Sequence, residues 1–211
     1  MSLLMYAFAP TQVVLVTDTL STSTSGDPHI FVSKCFVIPH LEMVVAGTGV
    51  ALISQRWAHQ LQTAVLARDI DFLDHLVPAA LTQVVTDLNG EFGELPGTST
   101  VYHFGYSEDR EEYVGYAYRS EHDFVSEPLQ SGGFGVKPRP IGDFSSPNDM
   151  NEMVQLGRRI RAEQDGLPEG RIYIGGELCM TALINRTITV SKLFRFEDFE
   201  DQWLTMNENL Q

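Results

Sequence analysis

The chain has 211 residues, 43% of them hydrophobic, with a mean hydropathy of −0.08, enough apolar material for one domain spanning residues 1–211 with a sizeable core. Its 28 acidic and 14 basic side chains give a formal charge of −14, which argues against nucleic-acid phosphates as a partner, since these need clustered Lys and Arg. No stretch approaches the roughly 20 apolar residues that cross a bilayer, and the opening residues lack the basic and long apolar regions of a secretory signal. Cys35 and Cys179 sit in separate apolar, strand-like runs and read as reduced thiols, not as a disulfide framework. These features predict a cytoplasmic protein that binds neither nucleic acid nor membrane.

In chain order, Leu3–Phe8 is an apolar strand, Pro10-Thr11-Gln12 a turn, and Val13–Thr17 a β-branched strand. A polar loop, Ser21–Asp27, precedes a hairpin formed by Ile30–Ile38 and Glu42–Ala46 around Pro39-His40. After Gly47-Thr48-Gly49 the period changes: Val50, Ile53, Trp57, Leu61, Ala64 and Val65 recur at helical steps. A second helix is expected from about Asp71 to Phe92, capped by Asp69 or Asp71 and stopped by Gly93. Pro78 inside that run implies a kink or a break into two pieces. Three aromatic-rich strands follow, at Ser99–Tyr106, Glu112–Arg119 and Asp123–Pro128. Ser131-Gly132-Gly133 and a Pro-rich stretch through Phe144 lead to a third helix, about Asn148–Gln164, capped by Ser146 or Asn148, with Gly166 beyond its end. Strands at Ile172–Ile184 and Thr187–Phe194 follow, and the acidic tail Glu197–Asp201, carrying Trp203, forms a last helical turn or stays mobile. Blocks of strands with clustered helices predict an α+β fold of stacked antiparallel sheets with helices outside.

The chemistry-bearing residues are spaced evenly. Ser2, Asp18 and Lys34 stand at two sixteen-residue intervals, each in or beside a strand-like run. Removal of Met1, which precedes a small residue, would make Ser2 the N-terminal residue. A terminal serine carries its own base, because its hydroxyl is the nucleophile and its free α-amine takes the proton. That amine has a pKa of roughly 7.7–8.0, and a nearby lysine ammonium lowers it further. Asp18 would hold and neutralise Lys34. Backbone N–H groups at Gly47-Thr48-Gly49, leading into a helix, can face a developing oxyanion. Leu52 occupies the position of the third glycine of a dinucleotide fingerprint, so that reading is set aside. The six histidines show no ligand spacing, so no metal site or cofactor is expected.

These segments resemble a proteasome β-type subunit, within the N-terminal-nucleophile hydrolases, over nearly the full length. The likeness is densest in Ser2–Asp18 (SLLMYAFAPTQVVLVTD), in SKCFVIP followed by VVAG between Ser33 and Gly47, and in LQSGG at Leu129–Gly133. The resemblance implies a four-layer αββα sandwich, assembly into a homo-oligomeric ring, and cleavage of peptide or amide bonds through Ser2. It places the catalytic aspartate on Asp18, the lysine on Lys34, the oxyanion-hole glycine on Gly47 and the serine near the terminal amine on Ser131. Thr22 takes the substrate-binding threonine, with the substrate's backbone pairing near Thr22 and Gly47–Gly49. Two polar positions of the family fall on Arg171 and Ile174, so part of the network around the amine is replaced. That substitution keeps open a non-catalytic structural subunit of the same fold. A small amide is an alternative substrate to a peptide, and an unfoldase partner is compatible with the family.

Overall fold

Two antiparallel sheets of five strands each organise the computed structural model, which describes residues 2–23 and 26–208. Met1, whose removal the sequence reading invokes, lies outside the described residues, as do positions 24–25 in the middle of the Ser21–Asp27 loop. The strands are β1 (Leu4–Ala9), β2 (Gln12–Asp18), β3 (Leu20–Thr22), β4 (Pro28–Phe31), β5 (Cys35–Ile38), β6 (Met43–Thr48), β7 (Thr100–Ser107), β8 (Glu112–Arg119), β9 (Ser126–Pro128), β10 (Phe134–Lys137), β11 (Glu177–Ile184) and β12 (Thr187–Arg195). The helices are α1 (Ala51–Thr63), α2 (Ile70–Asp74), α3 (Val77–Phe92), α4 (Met150–Asp165) and α5 (Phe199–Glu208). One sheet runs β10-β1-β2-β11-β12, the other β5-β6-β7-β8-β9, and β3 and β4 form a separate ribbon. Among the described residues no helix is long and apolar enough to cross a membrane.

The near-continuous apolar runs follow from sheets covered on both faces. In β1 and β2, Leu4, Phe8, Val13 and Leu15 point toward the other sheet, where they meet Val44, Ala46, Tyr102, Phe104 and Ala117. Their alternates Met5 and Val16, with Leu3 just before β1, face the opposite way onto Met153, Leu156 and Ile160 of α4. On the second sheet, Met43, Val45, Val101 and Tyr118 pack against Trp57, Leu61, Leu73, Leu81 and Leu88 from α1, α2 and α3. The period of two in each strand therefore serves two separate apolar clusters at once.

Several elements depart from the sequence reading. Of the two alternatives at Pro78, the break occurs: α2 ends at Asp74, and α3 starts at Val77 with Pro78 in its first turn, where a missing N–H costs nothing. Asp69 caps α2 by accepting from Phe72 N–H at 2.9 Å. The expected Ile30–Ile38 strand is divided into β4 and β5, and β10 lies inside the stretch read as a Pro-rich connection. The strand placed at Ile172–Ile184 starts only at Glu177, because Gly175 and Gly176 turn the chain first. The tail closes as α5, ten residues long, with Phe199 stacked on Phe31 at a centroid distance of 4.5 Å.

The cap of α4 is Asp149, not Ser146 or Asn148. Its Oδ1 accepts from Glu152 N–H at 2.9 Å, and Glu152 reaches back to the Asn148 N–H at 2.8 Å. Three neighbouring cap-forming residues made the sequence ambiguous, and the extended backbone at Asp149 decides it. Asp149→Ala should lower stability by about 1 kcal/mol, measured as a shifted urea midpoint at unchanged slope.

Candidate active site

The end of β2 carries a tightly held buried carboxylate. The Asp18 carboxylate is fully enclosed, and Lys34 is only 7% exposed. Lys34 Nζ donates to Asp18 Oδ1 at 2.7 Å and to the Leu20 carbonyl at 2.6 Å. The same Oδ1 accepts from the Leu3 N–H at 3.0 Å, and Oδ2 accepts from the Gly175 N–H at 3.1 Å. Burying two charges is costly unless each is paired and its remaining donors and acceptors are met. Among the described residues, the hydrogen bonds to the carboxylate come from an ammonium and two backbone amides. Among the same residues, Asp18 and Leu20 take two of the three Nζ protons.

Local structure explains the placement. Lys34 occupies the break between β4 and β5, where it lies outside either ladder and its side chain runs inward beneath β3. Leu3 and Asp18 extend the β1–β2 ladder by one pair, with Asp18 N–H donating to the Leu3 carbonyl at 3.4 Å. The amide directly after Ser2 is thereby fixed to Asp18. Ser2 itself is 8% exposed and borders three cavities. The largest, about 560 Å³, is shared with Thr22, Lys34, Gly49 and Thr98. The second, about 400 Å³, is shared with Gly49, Thr100, Lys137 and Arg139. The third is a niche of about 10 Å³ that Ser2 shares with Lys34, Gly47 and Gly49.

The structure thus gathers Ser2, Thr22, Lys34, Gly47 and Gly49 around common cavities, with Asp18 beneath them. Gly47 and Gly49 differ in how their amides are engaged. Gly47 N–H already points to the Lys34 carbonyl, at a long 3.4 Å, one residue past the end of the β5–β6 ladder. A Cβ on Gly47 would sit 2.5 Å from Ser54 Oγ, so this glycine lets α1 approach the sheet. Gly49, just past β6, has φ +97 and borders all three cavities that Ser2 borders. Among the described residues, the Gly49 N–H donates to no carbonyl.

Ser131 is not brought to the site. The chain there pairs with the far end of β1, where Gly132 N–H donates to the Phe8 carbonyl at 2.9 Å. Since β10 runs antiparallel to β1, the residue facing Leu4 is Lys137, and Ser131 lies about six strand residues away, roughly 20 Å. Arg171 and Ile174 do not contribute polar groups either. Arg171 lies over the Tyr173 ring at 4.2 Å, and Ile174 is buried against α4 and β11.

Three contributors escaped the sequence reading. Gly175 supplies an amide to Asp18. Gln202 of α5 accepts from the neighbouring Gly176 N–H at 3.1 Å and donates to Asp198 at 2.7 Å. Lys137 enters from β10, which was not read as a strand. No spacing rule connects residues so far apart, though Gly175-Gly176 directly before a strand signals a close backbone approach. Gly176 has φ +71, and a Cβ there would lie 2.3 Å from Thr19 Oγ1.

Cys35, adjacent to Lys34, does not compete as a nucleophile. Both cysteines are free thiols, and burial pushes Cys35 up to about 11, so it stays protonated at neutral pH. Among the described residues no group of three or more His, Cys, Asp or Glu is arranged to hold a metal ion. No model of a known protein family matches the chain, and no curated protein matches it in sequence.

Proposed function

We propose that the chain is an N-terminal-nucleophile hydrolase of the proteasome β type, cleaving an amide bond through Ser2. One observation carries this reading. The enclosed Asp18–Lys34 pair is tied to the amide that follows Ser2, and Lys34 shares two cavities with Ser2. An ion pair serving stability alone would not need open space on the side of a serine hydroxyl. The packing supports the same reading at the level of fold. Its three apolar clusters, helices on sheet, sheet on sheet, and sheet on α4, are those that an αββα sandwich would need.

With Met1 removed, the Ser2 hydroxyl attacks the substrate carbonyl, and its proton passes to the α-amine. The Lys34 ammonium, which borders two cavities with Ser2, would disfavour a second positive charge on this amine. Asp18 fixes the ammonium. Negative charge on the tetrahedral intermediate is met by a backbone N–H, and Gly49 offers one that donates to no carbonyl among the described residues. Such a donor contributes about 3–4 kcal/mol in comparable sites. Collapse breaks the amide C–N bond, the amine leaves with the proton, and the acyl group remains as an ester on Ser2 Oγ. Water then attacks the ester and restores the hydroxyl. An extended substrate lies with one arm in each of the two large cavities, passing Thr22 and Gly49, in the manner of strand addition.

A second reading, a non-catalytic subunit that builds a homo-oligomeric ring with this fold, draws on Arg171 and Ile174. Neither residue offers a hydrogen-bonding group to the terminal amine. Hydrolysis of fluorogenic peptides separates the two. The hydrolase reading predicts turnover that falls by more than about 10³-fold in Ser2→Ala and is lost in Lys34→Ala. Absence of turnover and of reaction with a β-lactone in the mature chain would favour the structural subunit.

A further inference from the structure

The 400 Å³ cavity beside Ser2 has a chemistry of its own. The chain has only three lysines, and two of them border cavities shared with Ser2. Lys34 is neutralised by Asp18 and Lys192 by Glu177 at 2.6 Å. Lys137 is half-buried, and its Nζ donates to the Thr100 hydroxyl at 3.0 Å. Among the described residues, neither Lys137 nor the exposed Arg139 forms an ion pair with a carboxylate, although acidic side chains outnumber basic ones two to one. Arg119 stands near enough to repel the Lys137 ammonium, and its own charge is engaged with Glu127 at 2.9 Å. Burial and Arg119 together hold Lys137 below the ordinary lysine range.

We infer that this cavity is an anion subsite that takes a carboxylate of the substrate, with Lys137 as its principal ligand and Arg139 at its rim. Among the described residues this half-buried ammonium donates only to a neutral hydroxyl, with Glu121 and Glu127 near enough to attract it but not bonded to it, and a carboxylate in the cavity would complete its hydrogen bonding. The register places it well, since Lys137 lies across from Leu4, two residues after Ser2. A cavity of this size suits a side chain or a small ligand half. The larger cavity, with Leu20 and Val32 on its wall, would receive the uncharged half. As a statement about substrates this rests on the hydrolase reading. The charge of the ligand does not.

Acetylation by limiting acetic anhydride, resolved by peptide mass, reports on Lys137 directly, with exposed Lys192 as an internal control. Two probes of equal shape, acetyl-Leu-Asp-amide and acetyl-Leu-Asn-amide, differ only in the carboxylate. At roughly ten times its Kd the acidic peptide should slow Lys137 acetylation about tenfold and leave Lys192 unchanged. The neutral peptide should protect weakly or not at all. In Lys137→Met the acidic peptide's advantage in affinity should fall by about tenfold or more, while Lys137→Arg should retain it. Equal protection by both probes, or an advantage undiminished in Lys137→Met, would overturn the subsite. The same pair is run on Ser2→Ala: protection there, with no hydrolysis by the wild-type chain, keeps the subsite and removes the hydrolase reading. Reaction of Ser2 with a β-lactone alongside equal effects of the two probes does the reverse.

Discussion

Asp18→Ala should lower folding stability by about 3–5 kcal/mol, measured by urea denaturation at neutral pH. The substitution leaves the Lys34 ammonium buried with only the Leu20 carbonyl and removes the acceptor for the Leu3 and Gly175 amides. Lys34→Met should cost less, because Asp18 keeps both of its amide donors and the methionine stem fills the same channel. The double variant should be more stable than Asp18→Ala alone, since it no longer buries an unpaired cation. A loss under about 1 kcal/mol in Asp18→Ala would mean that water reaches Lys34 and that the pair is not enclosed as described. Gly175 is sensitive for a related reason: a Cβ there would lie 2.7 Å from Gln202 Nε2 and 2.9 Å from Leu20 Cδ2, pushing its amide off Asp18.

Stability should also fall steeply on mild acidification, and the group responsible is His103. It is fully buried on β7, where its Nε2 accepts from Trp57 Nε1 at 2.8 Å and its ring lies nearly parallel to the indole, with centroids 6.1 Å apart. That bond puts the proton on Nδ1, which has no partner among the described residues. Burial holds His103 down to about 3, against an ordinary value of 6.5. In the unfolded chain the imidazole binds a proton as pH falls below about 6.5, whereas in the folded chain it does not. The unfolded state therefore gains about 1.4 kcal/mol for each pH unit below that point, and the folded state recovers the proton only near pH 3. The contribution is fully present above about pH 6.5 and is lost on the acid side. Urea midpoints between pH 7 and pH 5, followed by Trp57 fluorescence, should show this slope, and His103→Gln, which keeps an acceptor for Trp57, should flatten it. An equal slope in His103→Gln would assign the acid sensitivity to carboxylates instead.

Much of the fold was legible because its strands are regular. The β1–β2 hairpin follows from two apolar runs around Pro10-Thr11-Gln12, and α1 from helical periodicity after Gly49. The elements that were missed share a physical cause. Strand β10 is four residues with two prolines just behind it, and it exists only because β1 offers it an edge. The division between β4 and β5 is invisible in an apolar run, yet it is what frees Lys34 from the ladder. Within the site, Asp18 and Lys34 could be paired from spacing, since each ends or interrupts a strand. Gly175, Gln202 and Lys137 could not, because their approach depends on how distant segments close over β2. Ser131 was misplaced for a single reason: the segment after it returns along β1 toward Ser2 and carries the serine to the opposite end.

The central claim is that Ser2 is a nucleophile at the end of the chain, served by the Asp18–Lys34 pair. Intact-mass analysis of the purified protein after incubation with a β-lactone tests it most directly. A terminal Ser2 nucleophile should give a chain lighter by one methionine that gains one adduct, mapped to Ser2 and absent from Ser2→Ala and Lys34→Ala. A chain that retains Met1 and stays unmodified, or an adduct that survives both substitutions, would contradict it.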